Sequence, residues 1–201
     1  RRLDVIFRRY TSNVEFLSLD EATLDVTGQV YCNGSATYMA NRIRASIEQK
    51  LHLTASAGVA PLKYLAKMAS EVNKPNGQFV IAPHQVQAFL KNLDIRKIPG
   101  VGPKTWAVLQ ALGCTKCADV TDEMIPALLR HLGAHGFYVW ERCRGQESYE
   151  GKPGAVQSLG VEHTLPSDCN DFACCLRELD ELLGTLAKRL EVLGSAPPIV
   201  R

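Results

Sequence analysis

Residues 17–28 read Leu17-Ser18-Leu19-Asp20-Glu21-Ala22-Thr23-Leu24-Asp25-Val26-Thr27-Gly28. Two adjacent carboxylates, Asp20 and Glu21, separate two short apolar runs. The first run starts at Val14 and Phe16, continues to Leu19 and reads as a strand; residues 22–26 read as the next. Consecutive side chains on a strand point to opposite faces, so a continuous strand would aim the two acids apart. A tight turn between the strands aims both at one point. On the rim of a buried sheet two such acids repel each other unless a cation lies between them. The segment therefore admits two readings: a solvated hairpin turn, where acids are ordinary, or a divalent-metal site built on a hairpin.

Outward from this hairpin, the apolar positions Ala36, Met39, Ala40, Ile43 and Ile47 recur at helical spacing and predict a helix over 36–51, with Ser35 as its N-cap. Residues 54–59 read as a strand of small residues. A helix over 61–72 starts with Pro61 in its first turn, where no amide is lost. Lys74-Pro75-Asn76-Gly77 is a turn, and 78–81 is a further strand. Upstream, residues 3–10 read as the end of a helix. The alternation implies an α+β domain with helices on one sheet face. From Pro83 the pattern changes to short helices, 84–92, 103–112, 124–132 and 135–144, punctuated by glycines. Residues 150–153 are turn formers, 156–165 read as a strand, and 172–193 form a long helix with Leu176, Leu179, Leu183, Leu186 and Leu190 on one stripe. The last residues, 196–201, stop as a strand begins, so the chain is expected to be part of a longer polypeptide.

The 201 residues are 46% hydrophobic with a net charge of +2, the composition of a globular protein without a bulk basic signature. A nucleic-acid partner must therefore be met by local patches. Lys63 and Lys67 make one such stripe at i,i+4; Arg96, Lys97 and Lys104 flank a second candidate. No apolar run approaches the ~20 residues of a membrane span, and a cytoplasmic location is expected. The seven cysteines form no disulfide framework. Cys114 and Cys117 are a CxxC pair with no second pair at zinc spacing, which makes structural thiols the simpler reading. The five histidines show no ligand spacing, and Trp106 and Trp140 are expected to pack in a core.

Ser18 to Asp25 resembles the Ser-hydrophobic-Asp-Glu-Ala-hydrophobic-hydrophobic-Asp motif in the palm of Y-family (translesion) DNA polymerases, with Thr23 departing from the pattern. Four further blocks follow in the family's order: Thr54 to Ala60 with Lys63 to Ser70, Asn73 to Gln78, the helix-hairpin-helix turn Ile98-Pro99-Gly100-Val101-Gly102-Pro103-Lys104, and Ser158 to Glu162. The bacterial DNA polymerase IV branch matches best. The resemblance implies a palm remainder over 1–82, a thumb over 83–149, a linker over 150–155 and the beginning of a little-finger domain over 156–201. It implies template-directed, low-fidelity addition of deoxynucleotides past lesions by two-metal nucleotidyl transfer. Asp20 would be a Mg²⁺ ligand, and Glu21 would lie beside the primer hydroxyl and the metals. Lys74 would contact the incoming triphosphate. Lys97, Gly100, Val101, Gly102, Lys104 and Ser158 would hold DNA phosphates. Gln157 stands where a basic residue is frequent. Expected partners are primer–template DNA, deoxynucleoside triphosphates and a sliding clamp, with a monomeric protein. The family's Asp-x-Asp block does not occur in this sequence, so the chain by itself is expected to be inactive. The alternative is a non-catalytic DNA-binding module that uses the hairpin turn of the thumb.

Overall fold

A computed structural model describes residues 2–148, 159–165 and 167–193. The chain divides into two compact units, Arg1–Tyr149 and Glu150–Arg201.

The first unit is α+β, as expected. Helix α1 (Arg2–Phe7) precedes a hairpin of β1 (Val14–Phe16) and β2 (Ala22–Leu24), antiparallel with Val14 opposite Leu24 and Phe16 opposite Ala22. Both strands are shorter than the apolar runs suggested, because the chain bends through 17–20. Helix α2 (Ala36–Leu51) starts where the cap predicts: the Ser35 hydroxyl accepts the Tyr38 amide at 3.2 Å. Ile6, Phe7 and Ile47 bury against Val14, Ala22 and Leu24, which fastens the inner face of the hairpin to α1 and α2. The turn itself is open: Leu19 is wholly exposed and Leu17 nearly half exposed, whereas Phe16, on the same face as Val14, lies against Phe7 with ring centroids 5.9 Å apart. The acids therefore sit on a solvent-facing turn.

A second, parallel pair follows. Strands β3 (Ala57–Val59) and β4 (Gln78–Val80) are joined through helix α3 (Lys63–Val72). Pro61 lies before the Leu62 cap, outside the helix. Helix α3 crosses β3 so closely that a Cβ on Gly58 would stand 1.8 Å from the Ala66 carbonyl oxygen. Only a residue without Cβ allows that approach. Tyr64, Leu65, Met68 and Ala69 bury one face of α3; Lys63 and Lys67 lie on the other.

Four short helices complete the unit: α4 (Val86–Lys91), α5 (Pro103–Ala111), α6 (Ile125–Leu132) and α7 (Ala134–Cys143). Their apolar faces join Tyr64, Leu65 and Met68 of α3 in one core around Leu90, Ile95, Ile98, Leu109, Leu128 and Val139. Trp106 and Trp140 pack against it as expected. Cys114, Cys117 and Cys143 are buried free thiols within it.

In the second unit, α8 (Phe172–Leu193) has the predicted bounds. The Asp171 carboxylate caps it, accepting the Ala173 and Cys174 amides at 3.2 Å each. Leu176, Leu179 and Leu183 of the expected stripe are about half exposed among the described residues. The strand expected over 156–165 is absent from 159–165, which run irregularly. A strand needs a ladder partner for its amides, and those residues have none among the described ones. Residues 149–158, including Gln157, Ser158 and the expected linker, lie outside the described residues.

Candidate functional site

The turn between β1 and β2 is closed by its own backbone. The Leu17 and Ser18 amides donate to the Glu21 carbonyl at 2.9 and 3.3 Å. The Ser18 hydroxyl accepts the Glu21 amide at 3.2 Å and donates to the Asp20 carboxylate at 2.6 Å. The Ser18 hydroxyl thus holds the Asp20 carboxylate and the Glu21 amide at once.

Helix α3 supplies the counter-charges. Lys67 pairs with Glu21 and Lys63 with Glu15. The sequence offered contact with DNA or nucleotide, or a solvated face, for this lysine stripe; in the fold it meets Glu15 and Glu21 on the hairpin. These pairs are exposed, and such pairs contribute only about 0–1 kcal/mol each. Their consequence is positional, setting α3 against the acidic turn.

Lys74 belongs to the same locus. Its turn contains a cis Lys74–Pro75 peptide and Asn76 at φ +47°. The ammonium bonds Glu71 at 2.6 Å, and Glu71, then Glu21 and Asp20, push its pKa above the ordinary lysine value. Reciprocally, the Asp20 carboxyl is held below its usual value, chiefly by the Ser18 hydroxyl and also by Lys74 and Lys67. Asp20, Glu21, Lys67 and Lys74, spread over 55 positions of sequence, thus share one electrostatic neighbourhood. A residue that the sequence reading passed over holds the Lys74 turn. Arg44 on α2 donates to the Ala55 carbonyl at 2.8 Å, the Asn76 side chain at 2.9 Å and the Asn76 carbonyl. Its signal was an arginine beside the apolar stripe of α2, at Ile43 plus one.

The carboxylates offer hard oxygens of the kind Mg²⁺ takes. Among the described residues no group of three or more His, Cys, Asp or Glu side chains is placed to hold a metal. Two adjacent carboxylates facing lysines suit an ion that keeps waters and binds substrate phosphates, not an all-protein cage.

The second locus is the hairpin leading into α5. Val101 donates to Ile98 at 3.0 Å and Trp106 to Gly102 at 2.9 Å. Gly100 has φ +92°, a left-handed conformation that favours glycine. Helix α7 holds the loop: Tyr138 donates its hydroxyl to the Pro99 carbonyl at 3.0 Å, and a His135 ring nitrogen lies 3.1 Å from the Gly100 carbonyl oxygen. Sequence reasoning missed this pair; their i,i+3 spacing on one helix face was the available signal. Gly100, Gly102 and Lys104 are exposed and Val101 is half buried. A Cβ at Gly102 would meet nothing within 4 Å, so the loop's outer surface is open. No side chain caps α5, which leaves its first amides directed outward, a geometry suited to an anion. Lys97 is exposed beside it. Arg96 differs from expectation: its guanidinium forks onto Asp94 and lies 5.0 Å over the Trp106 ring. Asp94 is held down to about 2 by Arg96, so that positive charge is neutralised locally.

The two loci are joined through a buried cation. Arg142 of α7 lies between the rings of Tyr64 on α3, at 4.5 Å, and Tyr138 on α7, at 4.8 Å, and pairs with Glu147. The Tyr64 hydroxyl donates to the Arg142 carbonyl at 2.8 Å.

No helix among the described residues is long and apolar enough to cross a membrane.

Comparison with known proteins bears on both loci. The family profile described as the impB/mucB/samB family matches residues 1–71, and that described as the IMS family HHH motif matches 84–113. DNA polymerase IV of Yersinia pestis (strain Pestoides F) is 49% identical over 197 residues, covering 98% of this chain and 56% of that protein. DNA polymerase IV of Serratia proteamaculans (strain 568) is 53% identical over 171 residues, 85% of this chain and 48% of that one. Among solved structures, a Y-family DNA polymerase chimera of Dbh and Dpo4 aligns with a TM-score of 0.76 and 31% identity, covering 93% of this chain and 55% of its own. The insertion ternary complex of Dbh DNA polymerase aligns at 0.70 and 30%, over 94% and 55%. The chain spans about half the length of the curated relatives it matches. With two profiles of one family matched in order, on the stretches that carry the acidic turn and the glycine hairpin, the chain belongs to the impB/mucB/samB family, the Y-family DNA polymerases.

Proposed function

We propose that this chain is the palm-and-thumb portion, with the beginning of the little finger, of a translesion DNA polymerase. The complete protein adds deoxynucleotides to a primer opposite damaged template, with low fidelity. The observation that carries this reading is the convergence of Asp20, Glu21, Lys67 and Lys74 on one locus in a chain of this family. The Ser18 hydroxyl, with Lys74 and Lys67, favours the charged form of the Asp20 carboxyl. Asp20 would hold Mg²⁺, and Glu21, once released from Lys67, would lie beside the primer hydroxyl. When bound, Mg²⁺ neutralises the triphosphate and stabilises the leaving pyrophosphate. Lys74 exchanges Glu71 for the triphosphate; a lysine suits this as a mobile point charge. Two carboxylates hold two metal ions poorly, so the chain by itself is inactive. Lys97, Gly100, Val101, Gly102 and Lys104 hold the DNA backbone without reading sequence, and Ser158 adds a phosphate contact. A sliding clamp, a monomeric state and a cytoplasmic location complete the proposal.

The test is Asp20→Ala in the complete protein. Primer extension should fall by at least a thousandfold while duplex binding stays within twofold. Extension that survives the change would remove the catalytic assignment.

A second reading, a DNA-binding module without catalysis, is favoured by the open face at Gly102 with Lys97 and Lys104 beside it. Log affinity would then fall with log salt by about 0.9 per phosphate contacted. A complete protein that binds duplex in this way and never extends a primer, with Asp20 intact, supports that reading over the first.

A further inference from the structure

Three of the seven cysteines meet at the start of α8, in a part of the chain that the proposed polymerase chemistry does not use. The Cys169 sulfur lies 3.6 Å from that of Cys175, and Cys174 precedes Cys175 in the first turn of α8. Cys175 is exposed, and Cys169 and Cys174 are partly so. The buried Cys114, Cys117 and Cys143 contrast with them: burial closes them to solvent oxidants, and a thiol beside another thiol in that core is pushed up in pKa.

We propose that Cys169 and Cys175 are a peroxide-sensing thiol pair, with Cys169 the attacked thiolate and Cys175 the resolving thiol. The surroundings divide these roles. Hydrogen bonds from Cys174 and Cys175 lower the Cys169 pKa, against the opposing charge of Glu178, whereas Cys174 and Cys175 are both raised by Cys169. Cys169, 3.6 Å from the Cys175 sulfur and outside the helix, is assigned the nucleophile's part, which it takes as the thiolate.

The oxidant is a hydroperoxide. The Cys169 thiolate attacks its distal oxygen; an S–O bond forms, the O–O bond breaks, and the leaving oxygen takes a proton. The sulfenic acid so formed is attacked by the Cys175 sulfur. An S–S bond forms, the S–O bond breaks, and hydroxide departs with the proton Cys175 gave up, as water. Two thiols lose two electrons, and the peroxide gains them. A sulfur–sulfur bond is about 2.05 Å long, so the two sulfurs close by roughly 1.5 Å, a motion within reach of side-chain rotation at an exposed helix start. The bond would tie the irregular segment before α8 to its first turn.

The test uses the full chain, treated with one equivalent of hydrogen peroxide under native conditions. Free thiols are then counted and blocked, and the chain is cleaved before Asp171. That cut separates Cys169 from Cys174 and Cys175. Two of the seven thiols should be lost, and the Cys169 peptide should remain joined through Cys175. Dithiothreitol should restore both thiols. Cys169→Ser should abolish the loss. Cys175→Ser should leave a dimedone-reactive sulfenic acid on Cys169. Unchanged thiol number would overturn the proposal, as would a bond through Cys174, to Cys32 or between two chains. Both serine changes lie on the surface, and circular dichroism checks that α8 persists.

Discussion

Arg142 allows the joint between the two loci to be tested quantitatively. Its side chain is 8% exposed and that of its partner Glu147 15%. Two of its nitrogens, Nε and Nη1, are buried without a hydrogen bond; Nη1 faces Glu147 as an ion pair, outside hydrogen-bonding geometry. The cation is held by charge and by two aromatic faces. Each desolvated cation–π contact contributes about 2 kcal/mol, and the unbonded nitrogens return part of this, at about 1–3 kcal/mol. Removing only the cation strands the carboxylate, which costs about 3–5 kcal/mol for a buried pair. Arg142→Met should therefore destabilise the first unit by about 3–5 kcal/mol, lowering its midpoint by about 6–20 °C for a domain of this size. Arg142→Met with Glu147→Gln removes both charges and should cost under about 2 kcal/mol, because an apolar replacement of a whole pair is close to neutral. The assay is urea unfolding followed by tryptophan fluorescence, since Trp106 and Trp140 are the only tryptophans and both report on the first unit. A single change costing under about 1 kcal/mol would refute the reasoning. So would a double change costing as much as the single one.

Gly100→Ala puts a side chain at φ +92° with its Cβ 3.2 Å from a Tyr138 ring carbon. It should cost about 1–2 kcal/mol in backbone strain and weaken duplex binding at low salt, whereas Gly102→Ala, with open space around it, should leave stability within about 0.5 kcal/mol. Gly58→Ala drives a methyl group into the Ala66 carbonyl and should cost at least about 3 kcal/mol as overpacking, read by thermal unfolding. Asp94 should titrate near pH 2 by carboxyl NMR, and Arg96→Ala should return it toward 3.8. A carboxyl lowered on folding contributes stability that is present above its unfolded value of 3.8 and is lost as pH falls through that value toward about 2.

Local chemistry made much of the fold legible. Ser35 marked the start of α2 because a hydroxyl before an apolar 3.6-residue repeat has one common use. The leucine spacing outlined α8, and the acids of 20–21 marked a turn. What stayed hidden was non-local. Lys63 and Lys67 looked like a surface stripe, since nothing within α3 indicates that Glu15 and Glu21, 48 and 46 residues earlier, lie opposite. Arg96 looked like a free cation because the fork onto Asp94 depends on the backbone turn over 94–97. For the strand expected over 156–165, the described part, 159–165, runs irregularly, and no ladder partner for it lies among the described residues. Family resemblance located the candidate site, and the fold added what resemblance could not give, the placement of Arg44, His135 and Tyr138.

Helix α3 has a double role that follows from its amphipathic pattern. Positions 63 and 67 face the acidic hairpin, while 64, 65, 68 and 69 enter the core that also holds α5 and α7. Through Tyr64 the helix grips Arg142 of α7, and through Tyr138 and His135 the same α7 holds the Gly100 loop. The separation between the carboxylates and the Gly100 hairpin is thereby set by packed side chains and not by a flexible tether. Close-packed cores transmit displacement because they have few voids to absorb it. A change at Tyr64 or Arg142, which touch neither DNA nor nucleotide in the proposed complex, should therefore alter how a primer end meets Asp20 and Glu21. In the complete protein Tyr64→Phe, which deletes only the hydroxyl bond to Arg142, should reduce extension more than duplex affinity. Equal losses in both would mean that the two loci are coupled by overall stability alone.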